Sequence, residues 1–156
     1  MTTRAKDIAV DKTVTVRAGR ERAFTVFTER FHSWWPGHHI GGAELADVII
    51  EPREGGRWYE HGVDGSECDW GRVLAWEPPA RLVLSWHLRA DFSYEPDPAK
   101  ASEIEVRFVA EAPDRTRVEF SHHHIERHDD PDGVVEGVDS PGGWTSILAA
   151  YAELVA

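Results

Sequence analysis

The sequence predicts an α+β domain: a curved antiparallel sheet of about six or seven strands wrapped around one long C-terminal α-helix, with two short helices after the first strand. Alternating apolar and polar residues recur between Leu45 and His124, the two-residue period of strands with one dry and one wet face. After Ser140 the spacing changes to i, i+3, i+4, i+7, through Trp144, Ile147, Leu148, Tyr151, Leu154 and Val155. At 156 residues the chain, 1–156, has the size of a single domain, so that final helix must cover the dry face of the sheet. One helix does not fill a strongly bent sheet, and a cavity between them is the expected consequence.

The first strand is expected over residues 8–17, where Ile8, Val10, Val14 and Val16 set the pattern and Gly19 breaks it. Residues 20–29 carry Ala23, Phe24 and Phe27, with Phe31 beyond, on one helical stripe. Trp34-Trp35-Pro36 ends this helical region, because the residue before proline is pushed out of the α basin, and 37–42 reads as a loop. Strands follow at 45–51, 57–61, 67–76 and 81–88. Asp64-Gly65 marks a tight hairpin and Pro78-Pro79 a rigid turn. A proline-bearing loop, 89–101, precedes two last strands at 103–111 and 116–124, where Ile104, Val106 and Phe108, then Val118 and Phe120, form the dry face. Residues 125–139 read as an acidic loop. Ser140 and Pro141 suit the N-cap and first position of the final helix, which over 140–156 would span about 25 Å at ~1.5 Å per residue.

Composition excludes several function classes. Seventeen basic against 28 acidic residues leave a net charge of −11, a surface that repels nucleic acid and anionic membranes, so neither is an expected partner. No apolar run approaches the roughly 18 residues of a membrane span, and no membrane insertion is expected. Residues 1–7 lack the apolar core of a signal peptide, which makes a cytoplasmic location the expectation. The single cysteine, Cys68, rules out an internal disulfide and a thiolate-rich metal cage; its strand position reads as packing rather than as a nucleophile. Seven tryptophans must line either a large core or a cavity.

Five segments carry a resemblance. They are Ala23-Phe24-Thr25-Val26-Phe27-Thr28 with Trp34-Trp35-Pro36; Gly55-Gly56-Arg57-Trp58-Tyr59-Glu60; Gly71-Arg72-Val73-Leu74-Ala75-Trp76-Glu77-Pro78-Pro79; Leu82-Val83-Leu84-Ser85-Trp86; and Gly142-Gly143-Trp144. In this order the chain resembles the SRPBCC (START-like, helix-grip) superfamily, and within it the single-domain bacterial relatives of the activator of heat shock protein 90 ATPase, C-terminal domain type. The resemblance implies the helix-grip fold and a ligand cavity between sheet and C-terminal helix. Members of the superfamily bind lipids, sterols, polyketides and plant hormones, and some catalyse cyclisation or hydrolysis. The eukaryotic activator carries an extra N-terminal domain that helps it engage the chaperone. This chain has no length for one, so a chaperone partner is not expected.

The candidate ligand-binding set is Trp35, Trp58, Glu60, Trp70, Arg72, Trp86, Phe108, Phe120, His122, Trp144, Leu148 and Tyr151. Simple alternation would put Trp70 and Trp76 on one face of their strand, as core or as pocket lining. Acid/base groups that a cyclase or hydrolase could draw on are Glu60, Arg72, His87, His122 and Tyr59, although Glu60 and Arg72 also read as a cross-strand ion pair. No nucleophile elbow, zinc-protease helix or phosphate loop is present, and no catalytic residue is assigned. His122 and His124 would share a strand face near His128, Asp129, Asp130 and Asp132, and 128–139 approximates a calcium loop with Asp130, Asp132, Gly133 and Asp139 in step. Pro131 and the missing bidentate glutamate favour a solvated surface instead, and no metal or cofactor is expected. The leading expectation is a binding protein for a small apolar or aromatic molecule. An enzyme using the same pocket and a chaperone-assisting interaction protein are the alternatives, and an exposed edge strand is compatible with a homodimer.

Overall fold

A computed structural model describes residues 8–38 and 40–156, so the leader expectation for 1–7 lies outside the described residues. The order is β1 (Val10–Val16), α1 (Arg20–Glu29), α2 (Phe31–Trp34), β2 (Leu45–Ile50), β3 (Arg57–Gly62), β4 (Glu67–Glu77), β5 (Arg81–Trp86), β6 (Ser102–Ala112), β7 (Arg115–His123), α3 (Pro131–Val138) and α4 (Trp144–Val155). The strands form one antiparallel sheet in the order β1-β7-β6-β5-β4-β3-β2. This is the helix-grip, α+β arrangement expected from the sequence: a curled sheet with its dry face turned to the helices. Ile104, Val106 and Phe108 of β6 and Val118, Phe120 and His122 of β7 are buried along that face.

Helix α1 buries Ala23, Phe24, Val26, Phe27 and Thr28 against the sheet. Helix α4 is tied to α1 along its C-terminal half: the Tyr151 hydroxyl donates to Ala23 O at 2.6 Å, and Arg22 Nε donates to Val155 O at 3.0 Å. Beneath the body of α4 the interior is solid. Phe27 meets Phe108, Tyr151 and Trp34 with ring centroids 5.7, 5.2 and 4.9 Å apart. The expected space under the helix is therefore filled along most of its length and, among the described residues, opens near its N-terminal end.

Four local expectations are corrected. Residues 125–139 hold a helix, α3, rather than a loop: the Asp130 side chain caps Gly133 N at 3.1 Å and Pro131 occupies the first turn. That helix also removes the calcium-loop reading of 128–139. The last helix begins at Trp144, not Ser140, with Gly143 as N-cap; its 12 residues span about 18 Å. Strict alternation fails in β4, where register shifts fall between Asp69 and Gly71 opposite β3 and between Val73 and Ala75 opposite β5. The two bulges cancel, so Trp70 and Trp76 still face the same way. Gly71 sits where any Cβ would collide with Ser85 O, and this allows β4 to approach β5 beside the first bulge.

Candidate functional site

At the N-terminal end of α4 lies a cavity of about 570 Å³. Its walls are indole rings from four separate segments: Trp35 after α2, Trp70 at the bulge of β4, Trp86 at the end of β5 and Trp144 at the start of α4. Trp35 lies 5.1 Å from Trp70 and 6.1 Å from Trp144, and Trp144 lies 5.6 Å from Trp86, centroid to centroid. Ile40, Leu88, Val138 and Ile147 add to the apolar lining, and His38, Asp91, Phe92 and Ser140 also line it.

Every indole N–H of this wall is already bonded inside the protein. Trp35 donates to His38 O at 2.8 Å, Trp70 to Glu60 Oε1 at 2.9 Å, Trp86 to Leu88 O at 3.0 Å and Trp144 to His122 Nδ1 at 3.1 Å. The rings therefore offer the cavity their faces and carbon edges rather than a donor. Buried Glu60 has a second role here. Its carboxyl oxygens also accept from Ile40 N at 2.6 Å and Gly41 N at 3.1 Å, which fastens the 40–41 backbone to the sheet beside Trp70. Among the polar groups of the lining, Asp91 is held below the usual carboxylate range by its bonds from the Ser93 hydroxyl and backbone, so it is anionic at neutral pH.

Of the residues expected from sequence, Trp35, Trp70, Trp86 and Trp144 line the cavity. Trp58 stands behind them, 5.4 Å from Trp70 and 5.7 Å from Trp86, and its Nε1 has no hydrogen-bond partner among the described residues. Phe120 backs Trp144 at 4.7 Å. His122 supports the same ring through its hydrogen bond. Phe108, Leu148 and Tyr151 belong to the solid core. Arg72 is 44% exposed and pairs across the strands with Arg57, its nearest acid being Asp69 at 3.9 Å. Glu60 lies opposite Cys68 on the inner face, so the cross-strand pair between Glu60 and Arg72 does not form; the bulge at Trp70 separates their faces.

The other acid/base candidates are engaged elsewhere. His87 is engaged by Glu95 O at 2.8 Å and Ser85 Oγ at 2.9 Å, and Tyr59 lies under the Arg57 guanidinium at 4.0 Å. Burial, then the neighbouring Glu60 and Asp69, push the Cys68 thiol up, which leaves it a poor nucleophile. His124 leaves the strand in the left-handed region at φ 58°, so it does not share a face with His122. Sequence reasoning missed His38, Ile40, Leu88, Asp91, Phe92, Ser140 and Ile147. Most sit in loops without periodicity, but Asp91-Phe92-Ser93 carries an Asx-turn signature that was available to be read.

A family model described as "Activator of Hsp90 ATPase homolog 1-like protein" matches residues 17–156. No curated protein matches the chain in sequence. Among solved structures, an anthrahydroquino-γ-pyrone synthase, Txn09, is 41% identical, with 95% of this chain and 96% of that one covered and a TM-score of 0.67. The self-sacrificing resistance protein CalC from Micromonospora echinospora is 30% identical, covering 94% and 93%, with a TM-score of 0.68. Protein NE0264 from Nitrosomonas europaea shares the fold at 16% identity, covering 96% and 93%, with a TM-score of 0.63.

Proposed function

The chain belongs to the activator of Hsp90 ATPase homolog 1-like family, and from that premise we propose that it binds a planar, polycyclic aromatic molecule of the polyketide type in the cavity at the N-terminal end of α4. One observation carries the reading: four indole rings enclose the space and all four of their N–H groups are spent elsewhere. Such a wall selects by stacking and apolar burial, at about 0.5–1.5 kcal/mol per aromatic pair beyond the area term. A rigid ring system gains this without losing rotamers, whereas a flexible acyl chain of equal area loses conformational entropy on binding. Asp91, His38 and Ser140 suit the polar substituents of such a ligand. The 41% identity to a synthase named for an anthrahydroquino-γ-pyrone supports the same ligand class.

Trp35, Trp70, Trp86 and Trp144 are the contact residues in this reading. Glu60, His122, Trp58 and Phe120 hold those rings in place, Phe108, Leu148 and Tyr151 stiffen the core below, and Arg72 has no part. The same synthase identity favours a second reading, in which the bound aromatic undergoes ring closure in this cavity. A cytoplasmic site of action and a homodimer remain parts of the sequence expectation and do not enter this reading.

Tryptophan fluorescence titration tests the binding claim. An anthraquinone-type aromatic is expected to quench emission saturably, at least about ten-fold tighter than a saturated fatty acid of similar apolar area, with Trp144→Ala weakening it about ten-fold. Equal affinity for the fatty acid, or quenching that never saturates, overturns the proposal.

A further inference from the structure

We infer that Glu103, His123 and His124 form a binding site for a divalent transition-metal ion of the zinc class, on the face of β7 opposite His122. One ligand atom from each of the three lies within 4.8 Å of the others. The backbone creates the grouping. Glu103 faces His123 directly across β6 and β7, and strand alternation turns both away from buried His122. A further strand residue would have carried the next imidazole back to the dry face. Instead His124 adopts φ 58°, a left-handed conformation uncommon outside glycine, and its ring comes to rest 4.7 Å from that of His123 at 84°. Strain of this kind persists where the surroundings impose it, and its result here is a pair of adjacent imidazoles beside a carboxylate.

The surroundings orient the rings as a metal site requires. Ser121 Oγ engages His123 Nδ1 at 3.1 Å, leaving Nε2 toward Glu103 Oε1 at 3.8 Å. Glu126 Oε2 lies 3.5 Å from His124 Nδ1 and supplies a second carboxylate to the neighbourhood. Arg127 Nη1 binds Glu103 Oε2 at 2.9 Å and so leaves Oε1 for a metal. Tetrahedral zinc with bonds near ~2.0–2.1 Å holds its ligand atoms roughly 3.4 Å apart, so the three groups must close by up to about 1.4 Å. All three side chains are partly exposed and free to make that movement. Two imidazoles with one carboxylate favour zinc, copper or nickel over calcium or magnesium, and the fourth position is open to water.

The test uses the full chain after treatment with a chelator. Calorimetric titration with Zn²⁺ is expected to give one site with Kd on the order of 10 μM or tighter. His123→Gln and His124→Gly are each expected to weaken it more than ten-fold. The glycine variant also relieves the positive φ, so loss of binding there cannot be assigned to unfolding. Ser121→Ala, which removes the hydrogen bond that orients His123, is expected to cost about ten-fold. His61→Gln, remote in sequence from the cluster, should bind as the parent does. Cobalt(II) should give visible absorption bands that both histidine variants abolish. Zinc binding weaker than about 1 mM, or undiminished in His123→Gln and His124→Gly, overturns the inference.

Discussion

His122 illustrates how a single buried side chain shapes the cavity without touching it. Its Nδ1 accepts the Trp144 indole proton, so the neutral ring carries its own proton on Nε2 and donates to Ser102 Oγ at 2.7 Å; the same hydroxyl faces His128 Nε2 at 2.8 Å. A second proton would leave Trp144 opposing a donor. Burial accordingly pushes His122 down to about 3, with His128 and His123 adding to the shift, and burial also lowers His87 and His128. In each case the unfolded chain takes up a proton near the ordinary value of 6.5 while the folded chain resists it. Stability contributed by these groups is thus complete above pH 6.5 and declines as the pH falls below it. The lowered carboxylates Glu95, Glu105 and Glu126 act only beneath their unfolded values of 4.5, so the histidines control the interval from about pH 6.5 to 5. Urea unfolding across that interval should show stability falling toward acid, by up to about 1.4 kcal/mol per pH unit per histidine. His122→Gln should flatten the slope. A flat profile from pH 7 to 5 in the parent would contradict this account of the buried imidazoles.

At the scale of elements, the sheet was legible because its strands obey a two-residue period that only one-sided burial produces. β7 follows it throughout and β6 follows it as far as Val109, before a register shift between Ala110 and Ala112. The four tryptophans of the cavity wall were legible as a set, since broad aromatics on strands and at a helix start have few other roles. Three things were hidden. The bulges of β4 leave no trace in composition. Helix α3 carries its own start signal, Asp130 followed by Pro131, but the acidic residues around it resemble an ion-binding loop equally well. The turn at Asp91-Phe92-Ser93 has no period at all, yet it places Phe92 at the cavity with φ 64° and 45% exposure. An aromatic residue held in the left-handed region and left exposed is costly as structure, which points to a role toward the ligand. Phe92→Gly should therefore be about 1 kcal/mol more stable than Phe92→Ala, because only glycine adopts this φ without strain. Both variants should bind the aromatic ligand several-fold more weakly than the parent. Equal stability of the two in thermal unfolding would remove the strain from the explanation, and parent-like binding would remove Phe92 from the site.

For the whole molecule, the cavity exists only because segments distant in sequence are held together. Trp35, His38 and Ile40, then Trp70, then residues between Trp86 and Phe92, and residues between Gly137 and Ile147 contribute to its lining, and no one of these groups encloses it alone. Glu60 fastens the 40–41 backbone to the sheet, His122 sets Trp144 at the start of α4, and the Tyr151 and Arg22 hydrogen bonds fix α4 against α1. A ligand that bridges these walls joins parts that otherwise open independently. Hydrogen exchange should then slow together at 38–42, 88–93 and 137–147 on addition of the aromatic ligand. The β6–β7 ladder, which stands behind the lining rings and is already paired along its length, should change little. Because only the folded chain offers this cavity, a ligand at one hundred times its Kd adds about 2.7 kcal/mol, which for a chain of this length raises Tm by roughly 5–10 °C. Protection confined to one segment would mean that the ligand lies on the surface rather than between the four walls. Protection at β6–β7 without the loops would move the binding site to another face of the sheet, and the tryptophan-walled cavity would then have no claim to it.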